Sequence, residues 1–202
     1  VRRLLDADTE LKITDELVSM VLEHRDKIRH EHITESKSMV GQIYGMYANA
    51  LGLGGIMPIQ VGHHSGDKLQ LTGQQGDVMK ESMRCAKTMA YTLLEREFPE
   101  LYKELDESNG MHIHCPATST PKDGPSAGGA ICSAIYSYLS KTPLKTDVAM
   151  TGEIDLYGNI TAIGGLEAKL NGAKKAGIKL ALIPAENEEQ LLRLRKRGTS
   201  AE

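Results

Sequence analysis

The chain reads as an α+β protein built of mixed α/β layers, and three observations say so. Apolar residues recur at helical spacing in long segments, most clearly over residues 77–98 and after Ser126. Short runs of strand character stand between those segments, some of them joined by hairpin signals. Connections are short, repeats are absent and no stretch is of low complexity, which suits layers packed on one core. A chain of 202 residues is long enough for one well-packed domain, or for one domain plus an appended helical piece, without disulfide or metal staples.

Each element has its own signal. Residues 14–32 read as an amphipathic helix: Thr14 can cap it, Glu16 lies in the first turn, and Leu17, Met20, Val21 and Ile28 fall near helical spacing. The charged run over residues 23–32 then marks a boundary, which sets residues 1–36 apart as an N-terminal helical segment and assigns 37–202 to the main domain. Residues 56–61 and 68–72 read as strands, with His63-His64-Ser65-Gly66-Asp67 as the hairpin turn between them. Residues 77–98 form a long helix that turns Val78, Met79, Met83, Ala86, Met89, Ala90, Leu93 and Leu94 inward, and Pro99 ends or bends it. Residues 111–115 alternate, placing His112 and His114 on one face and Met111, Ile113 and Cys115 on the other. A helix after Ser126 carries Ala127, Ala130, Ile131, Ala134, Ile135, Tyr138 and Leu139 on one stripe. Strands at 147–154 and 159–163, a helix from Leu166 and a strand at 179–183 complete the order.

The segment Thr120-Pro-Lys-Asp-Gly-Pro-Ser-Ala-Gly-Gly129 carries the chemistry. Pro121 and Pro125 stiffen it, while Gly124, Gly128 and Gly129 let another backbone come close to Ser126. Two readings of that serine stand: an ordinary helix cap, and a nucleophile beside the free N–H groups of a helix start. A hydroxyl needs a base to take its proton. His24, His30, His32, His63 and His64 lie in charged or glycine-rich surroundings, and His112 and His114 read as polar support for a neighbouring loop or as two metal ligands without a third. Lys169 is the better candidate. It projects from the edge of the Leu166, Leu170, Ala173 stripe, where its ammonium either snorkels to water or loses its hydration. As a neutral base near pH 7 it needs its pKa, ordinarily ~10.4, lowered by roughly 3 pH units, about 4 kcal/mol of environment.

Pro121-Lys-Asp-Gly-Pro-Ser-Ala-Gly128 resembles the nucleophile motif of the Lon-type proteases, and Lys169 follows Ser126 by 43 residues, the interval of that family's serine/lysine dyad. Further blocks are similar in the same order: Leu71-Thr-Gly-Gln-Gln-Gly-Asp-Val-Met-Lys-Glu-Ser82, His112-Ile-His114, Asp147-Val-Ala-Met-Thr-Gly-Glu-Ile154, Ile163-Gly-Gly-Leu166 and Leu182-Ile-Pro184. The resemblance spans about residues 40–195. It implies the Lon proteolytic-domain fold and a serine endopeptidase with Ser126 as nucleophile and Lys169 as general base. Thr151 then orients the lysine, Asp123 belongs to a loop that either blocks the site or, with Ser126, offers oxyanion-hole amides, and Glu153, His112 and His114 support the surroundings. It also implies a homohexameric ring acting on unfolded or damaged proteins. The departures are Leu51-Gly-Leu-Gly-Gly-Ile-Met-Pro58 in place of a short turn, Cys115, Ala117 and Ser119 ahead of the motif, and Ala168 where an acid is common.

Two other readings compete. One is a catalytically silent oligomerisation domain that holds Asp123 and Lys169 in a closed ion pair. The other is a phosphate- or nucleotide-binding module using the turn from Asp123 to Gly129 at a helix N-terminus; the acid at Asp123 and the missing lysine after the last glycine weigh against it. No G-x-x-x-x-G-K-[ST] occurs, so no cofactor is expected in this chain, and ATP and Mg belong only to an upstream ATPase module. A net charge of −3 gives no electrostatic footprint for nucleic acid, and Arg193-Leu-Arg-Lys-Arg197 reads as a solvated helix end. Cys85, Cys115 and Cys132 lack motif spacing, which suits a reducing compartment, cytoplasm or organelle matrix. No apolar run reaches 18 residues and no signal peptide is present, so a soluble chain without membrane contact is expected. Because it begins with Val rather than Met, the chain reads as a piece of a longer protein.

Overall fold

The computed structural model describes residues 14, 32–33, 36–66, 69–105, 110–116 and 122–198, so the helix expected over 14–32 lies outside the described residues apart from Thr14 and His32. The elements follow as β1 (Ser38–Met39), β2 (Gln42–Ala48), β3 (Gly54–His63), β4 (Gln70–Thr72), α1 (Asp77–Glu97), α2 (Pro99–Lys103), β5 (Met111–His114), α3 (Gly128–Ser140), β6 (Leu144–Lys145), β7 (Val148–Met150), β8 (Glu153–Ile154), β9 (Ile160–Thr161), α4 (Leu166–Lys175), β10 (Leu180–Leu182), a 3-10 turn (Ala185–Asn187) and α5 (Glu188–Lys196). Six strands make the main sheet in the order β10-β7-β2-β3-β5-β4, and β1 with β6 and β8 with β9 form two small ladders.

The sheet separates two apolar layers. On one face Ile43, Ile59, Val61 and Ile113 pack against Met79, Met83 and Leu94 of α1 and Ala130, Ile131 and Ile135 of α3. On the other, Tyr44, Met46, Ile56 and Ala149 meet Ala173 and Ala176 at the end of α4. Glycine sets the spacing of this second layer. A Cβ on Gly54 would lie 1.9 Å from the Ala168 carbonyl oxygen, and one on Gly172 would lie 2.2 Å from the Gly54 carbonyl carbon, so the α4 backbone rests directly on the start of β3.

Three expectations are corrected. The strands at 56–61 and 68–72 do not form a hairpin: β5 lies between β3 and β4, antiparallel to the first and parallel to the second. The strand expected over 147–154 breaks at Thr151 and Gly152, where a φ of +156° at Gly152 turns the chain from β7 into β8. Val78 is exposed, because it stands on the solvent side of the first turn of α1 while its neighbour Met79 enters the core. Pro99 opens α2 as its first residue, in keeping with the missing N–H.

Candidate active site

Ser126 and Lys169 arrive from opposite faces of the sheet. Ser126 stands in the turn ahead of α3, with Ala127 as the helix cap, so the serine is not itself the cap. Its carbonyl accepts from the Gly152 amide at 2.7 Å, and the Gly152 carbonyl accepts from the Gly129 amide at 2.9 Å, which ties the turn to the end of β7. Lys169 lies on α4, across the sheet, and reaches the same place. Its Nζ is 3.0 Å from the Ser126 Oγ and 3.2 Å from the Thr151 Oγ1. Thr151, with no exposed surface, donates its hydroxyl to the Ser126 carbonyl at 3.1 Å and accepts from the lysine.

Burial decides the state of the amine. Lys169 is only 4% exposed, between Leu166 and Ala173, and lacks the water that stabilises an ammonium. That desolvation lowers its pKa from 10.5 to about 8. The amine is thus enclosed rather than snorkelling.

A cleft of about 470 Å³ opens beside the pair. Tyr47, Ala48 and Asn49 line one side, Ala162, Ile163, Gly164 and Gly165 another, and Asp123, Pro125 and Glu153 also border it. The Ala162–Gly165 wall is held from behind: the Glu186 carboxylate accepts the Ala162 amide at 2.7 Å, and buried Asn187 accepts the Ile163 amide and donates to the Ile163 carbonyl, both at 3.0 Å.

The other expected site residues divide. Asp123 borders the cleft, but its carboxylate accepts the Met79 and Gly124 amides at 2.9 Å each. It does not close on Lys169. Glu153 borders the cleft from β8 and is exposed. His112 and His114 stand apart, each with a ring nitrogen 2.7 Å from the Thr72 hydroxyl between β4 and β5. The sequence reading missed Tyr47, Ala48, Asn49 and Asn187. Tyr47 and Ala48 end β2, whose first five residues are all buried and therefore show no alternation to read. Asn187 offered only its place beside Pro184.

A hydroxyl, an amine whose protonation is weakened by burial and an open cleft beside both are the parts that a serine hydrolase with a lysine base requires. Comparison with known proteins gives the particular family. Residues 12–198 match the family model described as the Lon protease (S16) C-terminal proteolytic domain. The chain is 42% identical over 203 residues to the Lon protease homolog of Acanthamoeba polyphaga mimivirus, an alignment covering 96% of this chain and 19% of that protein. It is 42% identical over 160 residues to the Lon protease of Escherichia coli (strain K12), covering 78% of this chain and 20% of the relative. The chain belongs to the Lon protease family and spans about a fifth of the length of these relatives. No helix among the described residues is long and apolar enough to cross a membrane.

Proposed function

We propose that this chain is the proteolytic part of an ATP-dependent protease and hydrolyses peptide bonds of unfolded or damaged proteins with Ser126 and Lys169 as its catalytic dyad. The observation that carries the reading is the 3.0 Å approach of an enclosed lysine amine to a serine hydroxyl at the edge of an open cleft. The neutral amine accepts the hydroxyl proton as Oγ bonds the substrate carbonyl carbon. The resulting ammonium gives that proton to the leaving amine as the C–N bond breaks, leaving an ester on Ser126. Water then attacks the ester, Lys169 takes the water proton, and the serine regains it as the acid leaves. With a pKa of about 8, roughly a quarter of the amine is neutral at pH 7.5.

Thr151 orients the amine through its 3.2 Å contact, and the amides of Asp123 and Ser126 serve the oxyanion. The Asp123 carboxylate, held by Met79 and Gly124, leaves the amine without the acidic partner that a silent domain would need. A homohexameric ring and an upstream ATPase module belong to the same reading, with ATP and Mg confined to that module. Ser126→Ala is expected to abolish cleavage of a reduced, unfolded protein, by at least about 10⁴-fold, while the chain still unfolds cooperatively with a Tm lowered by no more than about 2–4 °C through loss of the Lys169 contact. Cleavage at the parent rate by that variant would overturn the assignment.

A further inference from the structure

Helix α1 has a cap that its own sequence does not supply. Gly76 stands at the N-cap position without a side chain to offer, and the carboxylate of Asp123, distant in sequence, takes the place of one by accepting the Met79 amide at 2.9 Å. The space for it exists only because residue 76 is glycine: an added Cβ would lie 2.3 Å from the Asp123 Cγ, 2.5 Å from Oδ2 and 2.7 Å from Oδ1. Backbone conformation is not the reason, since the φ of −70° and ψ of 177° at Gly76 suit any residue. The neighbouring chain is held at the same place. The Lys122 amide donates to the Gln74 carbonyl at 3.0 Å, the Gly76 amide donates to the Lys122 carbonyl at 2.7 Å, and the Lys122 Nζ donates to the Gly73 carbonyl at 3.1 Å. Three residues beyond Asp123 comes Ser126.

We infer that Gly76 is a positioning residue: by leaving the start of α1 open it admits the Asp123 carboxylate as that helix's cap, and the cap holds the loop ahead of Ser126 away from Lys169. Asp123 and Lys169 border the same cleft, so an ammonium there is the alternative partner for a carboxylate now seated at the amide end of a 21-residue helix. Filling that seat with a methyl group releases the carboxylate toward the ammonium. This rests on the dyad reading for its kinetic consequence, but the position of the carboxylate can be read without any turnover.

The test is a double-mutant cycle in the full chain with Gly76→Ala, Asp123→Ala and both together. Each variant is measured for peptide hydrolysis and for the titration of Lys169 by NMR of its labelled side chain. Besides Lys169, the titratable side chains that line the cleft are Tyr47, Asp123 and Glu153. Tyr47 and Glu153 are unchanged throughout, so a shift that depends on Asp123 reports that carboxylate. Gly76→Ala is expected to lower kcat by up to about 10²-fold with KM within roughly threefold, and to move the Lys169 titration to higher pH. In the Asp123→Ala background the same methyl is expected to change neither quantity further. Equal damage from Gly76→Ala with and without Asp123 would overturn the inference, since the glycine would then serve only its helix. An unchanged Lys169 titration in Gly76→Ala would overturn it too, whatever the rate. Should Gly76→Ala fail to fold, Asp123→Asn decides: it keeps an oxygen for the Met79 amide and is expected to retain a kcat that Asp123→Ala loses, and equal losses would refute the capping role. Activity surviving in Ser126→Ala would sink the dyad and leave the titration result standing.

Discussion

Replacing Lys169 by Met is expected to make the protein more stable at pH 7 and to lose that advantage at alkaline pH. Burial holds the amine's pKa at about 8 in the folded chain against 10.5 when exposed, so the fold opposes the ammonium form. The drop corresponds to about 3 kcal/mol against folding wherever both states would carry the proton, below pH 8. As pH rises from 8 toward 10.5 the folded amine is neutral while the unfolded one still binds a proton, and stability rises; about 1.5 kcal/mol of the opposition is left at pH 9.5. Methionine removes this term and keeps the apolar stem, but it forfeits the contacts to Ser126 at 3.0 Å and Thr151 at 3.2 Å, about 1 kcal/mol each. The net gain at pH 7 is then about 1 kcal/mol, a rise in Tm of about 2–4 °C for a chain of this size. At pH 9.5 the variant is expected to be no more stable than the parent. Parallel urea titrations at the two pH values measure the difference between the chains. A difference that does not change with pH would refute the claim that this amine is desolvated, whether or not the protein has any peptidase activity.

Gly54→Ala directs its new methyl into the Ala168 carbonyl at 1.9 Å and the Lys169 amide nitrogen at 2.9 Å, so α4 must lift from β3. Thermal unfolding is expected to show a loss of about 1–3 kcal/mol together with a lower kcat, and parent-like values for both would show that α4 does not need this contact to place its lysine. Asn187→Ala strips the buried Ile163 amide and carbonyl of their partners, a loss of about 3 kcal/mol by urea denaturation; a loss below about 1 kcal/mol would mean that water replaces the side chain behind the cleft wall.

The periodic elements were legible from the chain alone, because a helix or strand with one buried face writes that face into its own residues. The stripe of α3, the inward methionines of α1 and the alternation of β5 belong to this kind. So does the rigid, glycine-flanked setting of Ser126. Strand β2 was not legible, because burial on both faces erased its alternation and with it the signal that Tyr47 and Ala48 end beside the cleft. The placement of β5 between β3 and β4 could not be read from neighbouring residues either, since strand order is a choice among partners far apart in the chain.

Lys169 and Asp123 show where local pattern stops. Position at the edge of an apolar stripe fits equally a lysine that reaches water and one that does not; the packing of α4 onto β3 through Gly54 and Gly172 encloses it and weakens its hold on the proton. Asp123 was visible as an acid ahead of the serine, yet nothing beside it in the chain points to the amide of Met79, which the fold brings within 2.9 Å. Residue types and their spacing named the groups able to react. Which of them meet, and in what state of charge, depends on burial and on backbone contacts between segments far apart in the chain, and a one-dimensional pattern does not carry those.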